Sequence, residues 1–359
     1  MKKTYFTAGP AALFPTFEQH LQTAVNEQIG SISHRSQQFR SIYQHTAENL
    51  RALMNIPASH GIFFTGSASE VWERIALNLV ENESFHLING SFSKKFHEYA
   101  TAVKKQAHRL EKPMEEGFDA DEISVPATAE LIAATHNETS TGVQMTVADI
   151  HALKHQNMDK LLAVDMVSSA PYPDLDFNLV DTALFSVQKA FGLPAGLGVW
   201  IANEKCLEKS QSLSKNTHLH IGGHHSLPVL WKNFQTYETP STPNVLGIYL
   251  LGKVAEDMNK IGIENIRKTT EHNADLLYSF FRKHDTFSVA VQKAKHRSQT
   301  VAVANTAIPS SEVIKKVKEA NMVIGAGYGP GKDSQIRVAN FPATSTEEIE
   351  ALIAVMAEV

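Results

Sequence analysis

Cysteine is nearly absent. Cys206 is the only one in 359 residues, so no internal disulfide can form, and so thiol-poor a chain fits a reducing compartment. No apolar stretch approaches the roughly 20 residues that a bilayer crossing needs, since the most apolar run, residues 245–252, is far shorter. Residues 1–5 are polar and carry no secretion-type segment, so a cytoplasmic location is expected. Charge of one sign is lacking as well. The 33 basic and 38 acidic residues leave a formal net charge of -5 with no long run of either sign, which removes the basic stripe that docking on a nucleic-acid backbone requires. Repeats, low-complexity tracts and flexible linkers are missing too. What is present, 43% hydrophobic and 20% charged residues, is ordinary for a globular chain large enough for two domains. The expected partner is a small molecule.

Short apolar runs at 61–65, 85–89, 130–135, 160–164, 182–186 and 197–202 alternate with amphipathic or turn-rich segments. Near-continuous apolar runs, rather than strict alternation, predict buried strands of a mostly parallel sheet covered by helices on both faces, an α/β fold. Ser67 and Glu70 form a capping-box pattern that predicts a helix running through Trp72, Ile75, Ala76 and Leu79. The densest turn signal, residues 239–244, precedes a long helical pattern and marks a domain junction. A large domain over 15–243 and a smaller α+β domain over 1–14 and 244–359 are expected.

Ligands of parallel sheets collect beyond the carboxyl ends of the strands, so the residues after each run carry the functional reading. After 61–65 come Gly66, Ser67, Ala68 and Ser69, small residues opening a helix, whose backbone N–H groups can cradle a phosphate. After 85–89 comes Phe92, which can cover a flat heterocycle. Residues 136–142 are dense in amide and hydroxyl groups. Asp165 follows the fourth run, and Gln188 and Lys189 follow the fifth. A lysine nucleophile must be partly deprotonated, through burial or a neighbouring cation, to condense with a carbonyl. An aspartate on a neighbouring strand end can keep a pyridine nitrogen protonated, which makes pyridoxal phosphate an electron sink. Lysine, carboxylate, aromatic cover and phosphate cradle together describe that one cofactor.

These residues resemble the class V, fold-type I pyridoxal-phosphate aminotransferases, nearest to the phosphoserine-directed branch. The likeness is carried almost end to end by Phe6-Thr7-Ala8-Gly9-Pro10-Ala11, Ser33-His34-Arg35, Asn137-Glu138-Thr139, Asp165-Met166-Val167-Ser168-Ser169, Gln188-Lys189 with residues 192–197, Thr239-Pro240 and Arg337. The resemblance implies a large sheet domain, a smaller C-terminal domain and a homodimer with shared sites. It implies that Lys189 binds the cofactor and acts as general base and acid at the substrate Cα. Asp165 would pair with the pyridine nitrogen, Phe92 would stack on the ring, and Thr139 would bond the phenolic oxygen. Ala68 and Ser69 backbone groups, Gln188, and Thr239 from a partner subunit would hold the phosphate. Arg337 would clamp the α-carboxylate, and His34 and Arg35 would meet the distal group of the substrate.

The chain departs from that branch in four places. Phe92 stands for a tryptophan, and Gly66-Ser67-Ala68-Ser69-Glu70 stands for a glycine cluster. Pro330, Gly331 and Lys332 occupy the neighbourhood of a His-Arg pair, and Glu238 replaces a neutral asparagine. The resemblance implies transamination of phosphoserine with 2-oxoglutarate, in serine biosynthesis. Serine–pyruvate or alanine–glyoxylate exchange is the alternative, and a desulfurase using Cys206 or a lyase is a more distant one. The 17 histidines raise the question of a metal. The stretch His218–His225 and the pair His151 and His155 lack nearby cysteines or a carboxylate at ligand spacing, so no metal is expected.

Overall fold

The computed structural model describes residues 3–216, 218–219 and 221–359. Its strands, numbered along the chain, are β1 (Thr4–Phe6), β2 (His60–Thr65), β3 (Glu83–Ile88), β4 (Gln106–Glu111), β5 (Leu131–Thr135), β6 (Asn137–Glu138), β7 (Val143–Gln144), β8 (Leu161–Asp165), β9 (Thr182–Ser186), β10 (Gly198–Asn203), β11 (Phe287–Val289), β12 (Val301–Thr306), β13 (Met322–Ala326) and β14 (Gln335–Ala339). The helices are α1 (Phe17–Asn26), α2 (Gln37–Met54), α3 (Ala68–Leu79), α4 (Ser91–Ala102), α5 (Val147–Gln156), α6 (Glu204–Ser214), α7 (Leu227–Phe234), α8 (Val245–Ile261), α9 (Ile263–Lys283), α10 (Ser310–Glu319) and α11 (Thr346–Met356).

The larger sheet has the order β2-β10-β9-β8-β5-β3-β4. Its neighbours are parallel except where β10 runs against β2 and β9. The apolar runs are strands because both of their faces are buried. Ile62, Phe64, Leu162, Val164, Ala183, Phe185, Val199 and Ile201 pack toward α2, α5 and α8. The intervening Phe63, Ala163, Leu184 and Trp200 pack toward α3, α4, α6 and α7. A residue-by-residue alternation between two apolar cores leaves polar residues only at the ends of these strands. β4 lacks such a run, and no residue in it is fully buried.

The smaller sheet has the order β1-β13-β14-β12-β11, with β1 parallel to β13. Helices α9, α10 and α11 cover it through Leu277, Phe281, Val313, Val317, Ile349 and Leu352. Side-chain caps fix several helix starts: Ser36 accepts the Phe39 N–H, and Asn244 accepts the Gly247 N–H after the turn-rich 239–244 segment. Asn244 thereby starts α8, which lies in the core of the larger sheet through Ile248, Leu251, Val254 and Met258. The Ser67 cap on α3 accepts the Glu70 N–H, whereas the Glu70 carboxylate reaches past it to the Gly66 N–H at 3.0 Å. The expected capping box is thus half formed and offset by one residue. Among the described residues, no helix is long and apolar enough to cross a membrane.

Candidate active site

Registers place one set of residues along a single edge of the larger sheet. Thr135 is opposite Asp165, Asp165 is opposite Leu184, and Ser186 and Thr65 both lie opposite Gly198. The segments after β2, β3, β5, β8 and β9 therefore leave the sheet side by side.

Lys189 is held there by the N-terminal segment. Its Nζ donates to the Ala8 carbonyl at 2.7 Å. Ala11 N–H donates to the Gln188 carbonyl at 3.0 Å, and Phe14 N–H donates to the Gly192 carbonyl at 2.8 Å. Gly9, at φ +130°, has no room for a side chain, since a Cβ would lie 2.7 Å from Lys189 Cδ and Cε. Burial, reinforced by the Arg337 charge, pulls the Lys189 ammonium down to about 8. An amine so placed is deprotonated far more often than a surface lysine.

Asp165 is fully enclosed. Burial raises its carboxyl to about 6, while hydrogen bonds from Val167 and Trp72 oppose the rise. Val167 N–H donates to Oδ1 at 2.9 Å and the Trp72 indole N–H to Oδ2 at 2.8 Å. Phe92 opens α4, and its ring centroid lies 5.5 Å from Lys189 Nζ. Buried Glu138 sets that position. Its carboxylate accepts the Phe92 N–H at 3.1 Å, the Ser93 N–H at 2.8 Å and the Ser140 hydroxyl at 2.6 Å, capping α4 where the helix dipole favours an anion. Gly90 leaves it space, because a Cβ there would sit 2.3 Å from Glu138 Cγ.

Arg337, on β14, crosses from the smaller sheet. Its Nη1 donates to the Thr139 carbonyl at 3.2 Å and its Nε to the Ala326 carbonyl at 2.9 Å. The guanidinium lies 5.4 Å from the Tyr328 ring, and that ring is 5.4 Å from Phe92. Lys189, Asp165, Phe92, Thr139 and Arg337 thus form one neighbourhood. Trp72, Glu138 and Tyr328 join it without having been singled out from the sequence. Glu138 lay inside a quoted motif, but only its burial reveals its work.

The remaining candidates are arranged differently. Ala68 N–H donates to the Ser186 hydroxyl at 2.9 Å, so that donor has a protein partner, while Ser69 is half-buried beside it in the first turn of α3. Thr239 lines a cavity of about 290 Å³ with Thr65, Gly66 and Glu70. Arg35 pairs with Glu238 at 3.3 Å and reaches the Pro240 carbonyl at 3.5 Å, flanking Thr239, and Arg40 also pairs with Glu238. The Glu238 carboxylate is accordingly turned toward two arginines. His34 is half-buried next to this cluster in sequence.

Cys206 lies at the other end of β10, whose Asn203 is opposite His60, the first residue of β2. It is buried, its thiol faces the Asp181 carbonyl at 3.3 Å, and burial pushes its acidity well away from a reactive thiolate. A mobile nucleophile, as the desulfurase alternative needs, is not found at this position. In the histidine-rich stretch, His224 and His225 stack at 3.9 Å and His225 pairs with Glu70; His220 lies outside the described residues. His151 Nε2 accepts the Asp176 N–H at 3.0 Å.

Chemically the neighbourhood can hold a flat aldehyde bearing an anionic tail. It offers a partly deprotonated amine, a buried carboxylate for a ring nitrogen, an aromatic cover and a helix N-terminus. Asn137 Oδ1, Thr141 Oγ1 and Ser169 Oγ are buried near these strand ends without a hydrogen-bond partner, which leaves polar capacity for a ligand.

The family model described as Aminotransferase class-V matches residues 6–352. A crystal structure of a phosphoserine aminotransferase from Cytophaga hutchinsonii is 46% identical, with 99% of this chain and 98% of that one covered and a TM-score of 0.97. A curated relative, the phosphoserine aminotransferase of Rhodococcus opacus, is 26% identical over 355 residues, 97% of this chain and 92% of the relative. An aspartate aminotransferase from Thermus thermophilus, only 23% identical, still has a TM-score of 0.86 over 99% of this chain and 98% of that one. One fold therefore accompanies more than one substrate.

Proposed function

The chain belongs to the class-V aminotransferases, and from that premise we propose that it exchanges the amino group of phosphoserine with 2-oxoglutarate, a step in making serine, at a site built around Lys189. The observation that carries this reading is the buried Lys189 amine beside the buried Asp165 carboxylate at one sheet edge. The 46% identity to a phosphoserine aminotransferase supports the substrate.

The residues present fit pyridoxal phosphate. Lys189 would hold it, Asp165 would face its ring nitrogen, Phe92 would cover the ring and Thr139 would meet its phenolic oxygen. Ala68, Ser69, Gln188 and a partner's Thr239 loop would hold the phosphate, with Ser186 sharing the Ala68 N–H. When bound, the cofactor supplies an electron sink that acidifies the substrate Cα. Lys189 would serve as the base that takes the proton from the substrate Cα and, once protonated, as the acid that gives it to the cofactor carbon. Arg337 binds the α-carboxylate and orients the Cα–H bond toward Lys189, while Tyr328 and Phe92 exclude water from that face. The two substrates use the site in turn, a ping-pong order.

We also propose the division of the chain at 15–243 against 1–14 with 244–359, a cytoplasmic homodimer, and a distal-anion role for His34 and Arg35. One observation favours the second reading, exchange of serine or alanine with pyruvate or glyoxylate: Arg35 is paired with Glu238, which lowers the positive charge open to a substrate phosphate. Phosphoserine, serine, alanine and aspartate assayed side by side, each with 2-oxoglutarate, pyruvate and glyoxylate, decide between them. The proposal expects kcat/KM highest for phosphoserine with 2-oxoglutarate. Higher values for alanine or serine would replace it with the second reading.

A further inference from the structure

We infer that Trp72 is a positioning residue of the reaction: its indole N–H fixes the Asp165 carboxylate in its ionised form, ready for a protonated ring nitrogen. This deepens the reading above and rests on it for the cofactor. Trp72 and Asp165 are only 3% and 2% exposed. The 2.8 Å contact between them is made inside the protein, where water cannot substitute for a lost donor.

The indole has little freedom to turn elsewhere. Phe96 stacks on it at 5.9 Å with 19° between the rings, and Tyr99 meets it edge-on at 5.7 Å. Both come from α4, the helix that Glu138 caps and Phe92 opens. Trp72 sits on α3, one turn past the Ser67 cap, so the helix that begins at the phosphate cradle also delivers the donor to Asp165. The carboxylate has two firm protein donors, the Val167 N–H on Oδ1 and this indole on Oδ2. With both in place its orientation is fixed.

The charged groups facing Asp165 act in opposite directions. Lys189, after β9, stabilises its anion and Glu138, after β5, opposes it. His136, whose N–H donates to the Asp165 carbonyl, is held neutral by burial, its acidity down to about 4. The indole is therefore the adjustable element, and replacing it with an apolar ring leaves burial to push the carboxyl further up, toward neutrality. A protonated Asp165 cannot pair with a pyridinium, so cofactor binding would weaken most where the variant's carboxyl holds its proton.

Two readouts test this. In apoprotein carrying ¹³C-labelled aspartate, the Asp165 carboxyl titrates at clearly higher pH in Trp72→Phe than in the parent, a measurement needing no cofactor. Binding of pyridoxal phosphate to the apoprotein, followed from pH 6 to 9, is expected to be about tenfold to a hundredfold weaker in Trp72→Phe at neutral pH, the scale of a lost hydrogen bond to a charge. The deficit should shrink toward pH 9, and Trp72→His, which can donate again, should recover part of it. An unmoved Asp165 titration, or a deficit equal at every pH, would overturn the inference and leave Trp72 as packing alone. Failure of the parent protein to bind pyridoxal phosphate would instead strike the proposed function, because the carboxyl titration is read without it.

Discussion

Lys189 carries its own signature in the pH dependence of stability. Its folded amine loses its proton near 8, whereas an unfolded lysine holds it to roughly 10.4. Between these values the unfolded chain binds the extra proton, so the apoprotein gains stability as pH rises through that window and carries the full cost of a buried ammonium below it. Lys189→Met removes the charge but also the bond to the Ala8 carbonyl, which offsets part of the gain. Net stabilisation of the apoprotein on the order of 1–2 kcal/mol is expected at pH 7 and should vanish above about pH 10, measured by urea unfolding. Arg337→Lys keeps a charge and loses the fork, so KM for every amino donor should rise about tenfold or more, with a smaller change in kcat. Lys189 and Asp165 were legible in the sequence because each follows an apolar run, and strand ends of such sheets face ligands. Trp72 was not. At the spacing of a helix core residue it reads as packing, and only its partner, 93 positions along the chain, reveals the polar end of its side chain at work.

Among the elements, α4 depends on an unusual start. Its first residue follows Gly90, which offers no side-chain cap, and Glu138, the last residue of β6, supplies the acceptor. Glu138→Ala would leave the Phe92, Ser93 and Ser140 N–H groups without their carboxylate acceptor and take from the Ser93 and Ser140 hydroxyls their shortest hydrogen bond. The apoprotein should lose about 2–4 kcal/mol, read as a lower urea midpoint. Phe92 should also become less well fixed over Lys189, so the variant should bind pyridoxal phosphate more weakly. The strands of the larger sheet were legible for the reason they are stable, since both faces are buried and nearly every residue is apolar. β4 escaped because Gln106–Glu111 lies at the edge with no residue fully buried, and polar residues are tolerated there. β10 was found as a strand but not as the antiparallel one, since direction is set by the connection after β9 and leaves no mark in composition.

Across the whole molecule, the two sheets meet where the chemistry is placed. The N-terminal chain runs from β1 in the smaller sheet to the Ala8 carbonyl on Lys189, and Arg337 reaches back from the same sheet to Thr139. Arg35 and Thr239 sit together through Glu238 and Pro240, so if Thr239 serves the partner's site, Arg35 serves it too. Inactive Lys189→Ala and Arg35→Ala proteins, unfolded together and refolded, then test the shared site. Statistical mixing of a symmetric dimer should restore about a quarter of wild-type activity, and sites confined to one chain would restore none. The central claim, that Lys189 is the lysine that binds the cofactor, is tested most directly by borohydride treatment of the yellow holoenzyme followed by peptide mass spectrometry. The account predicts one peptide heavier by the reduced pyridoxyl phosphate group, with the mass on Lys189; a colourless protein, or the label on another lysine, would contradict it.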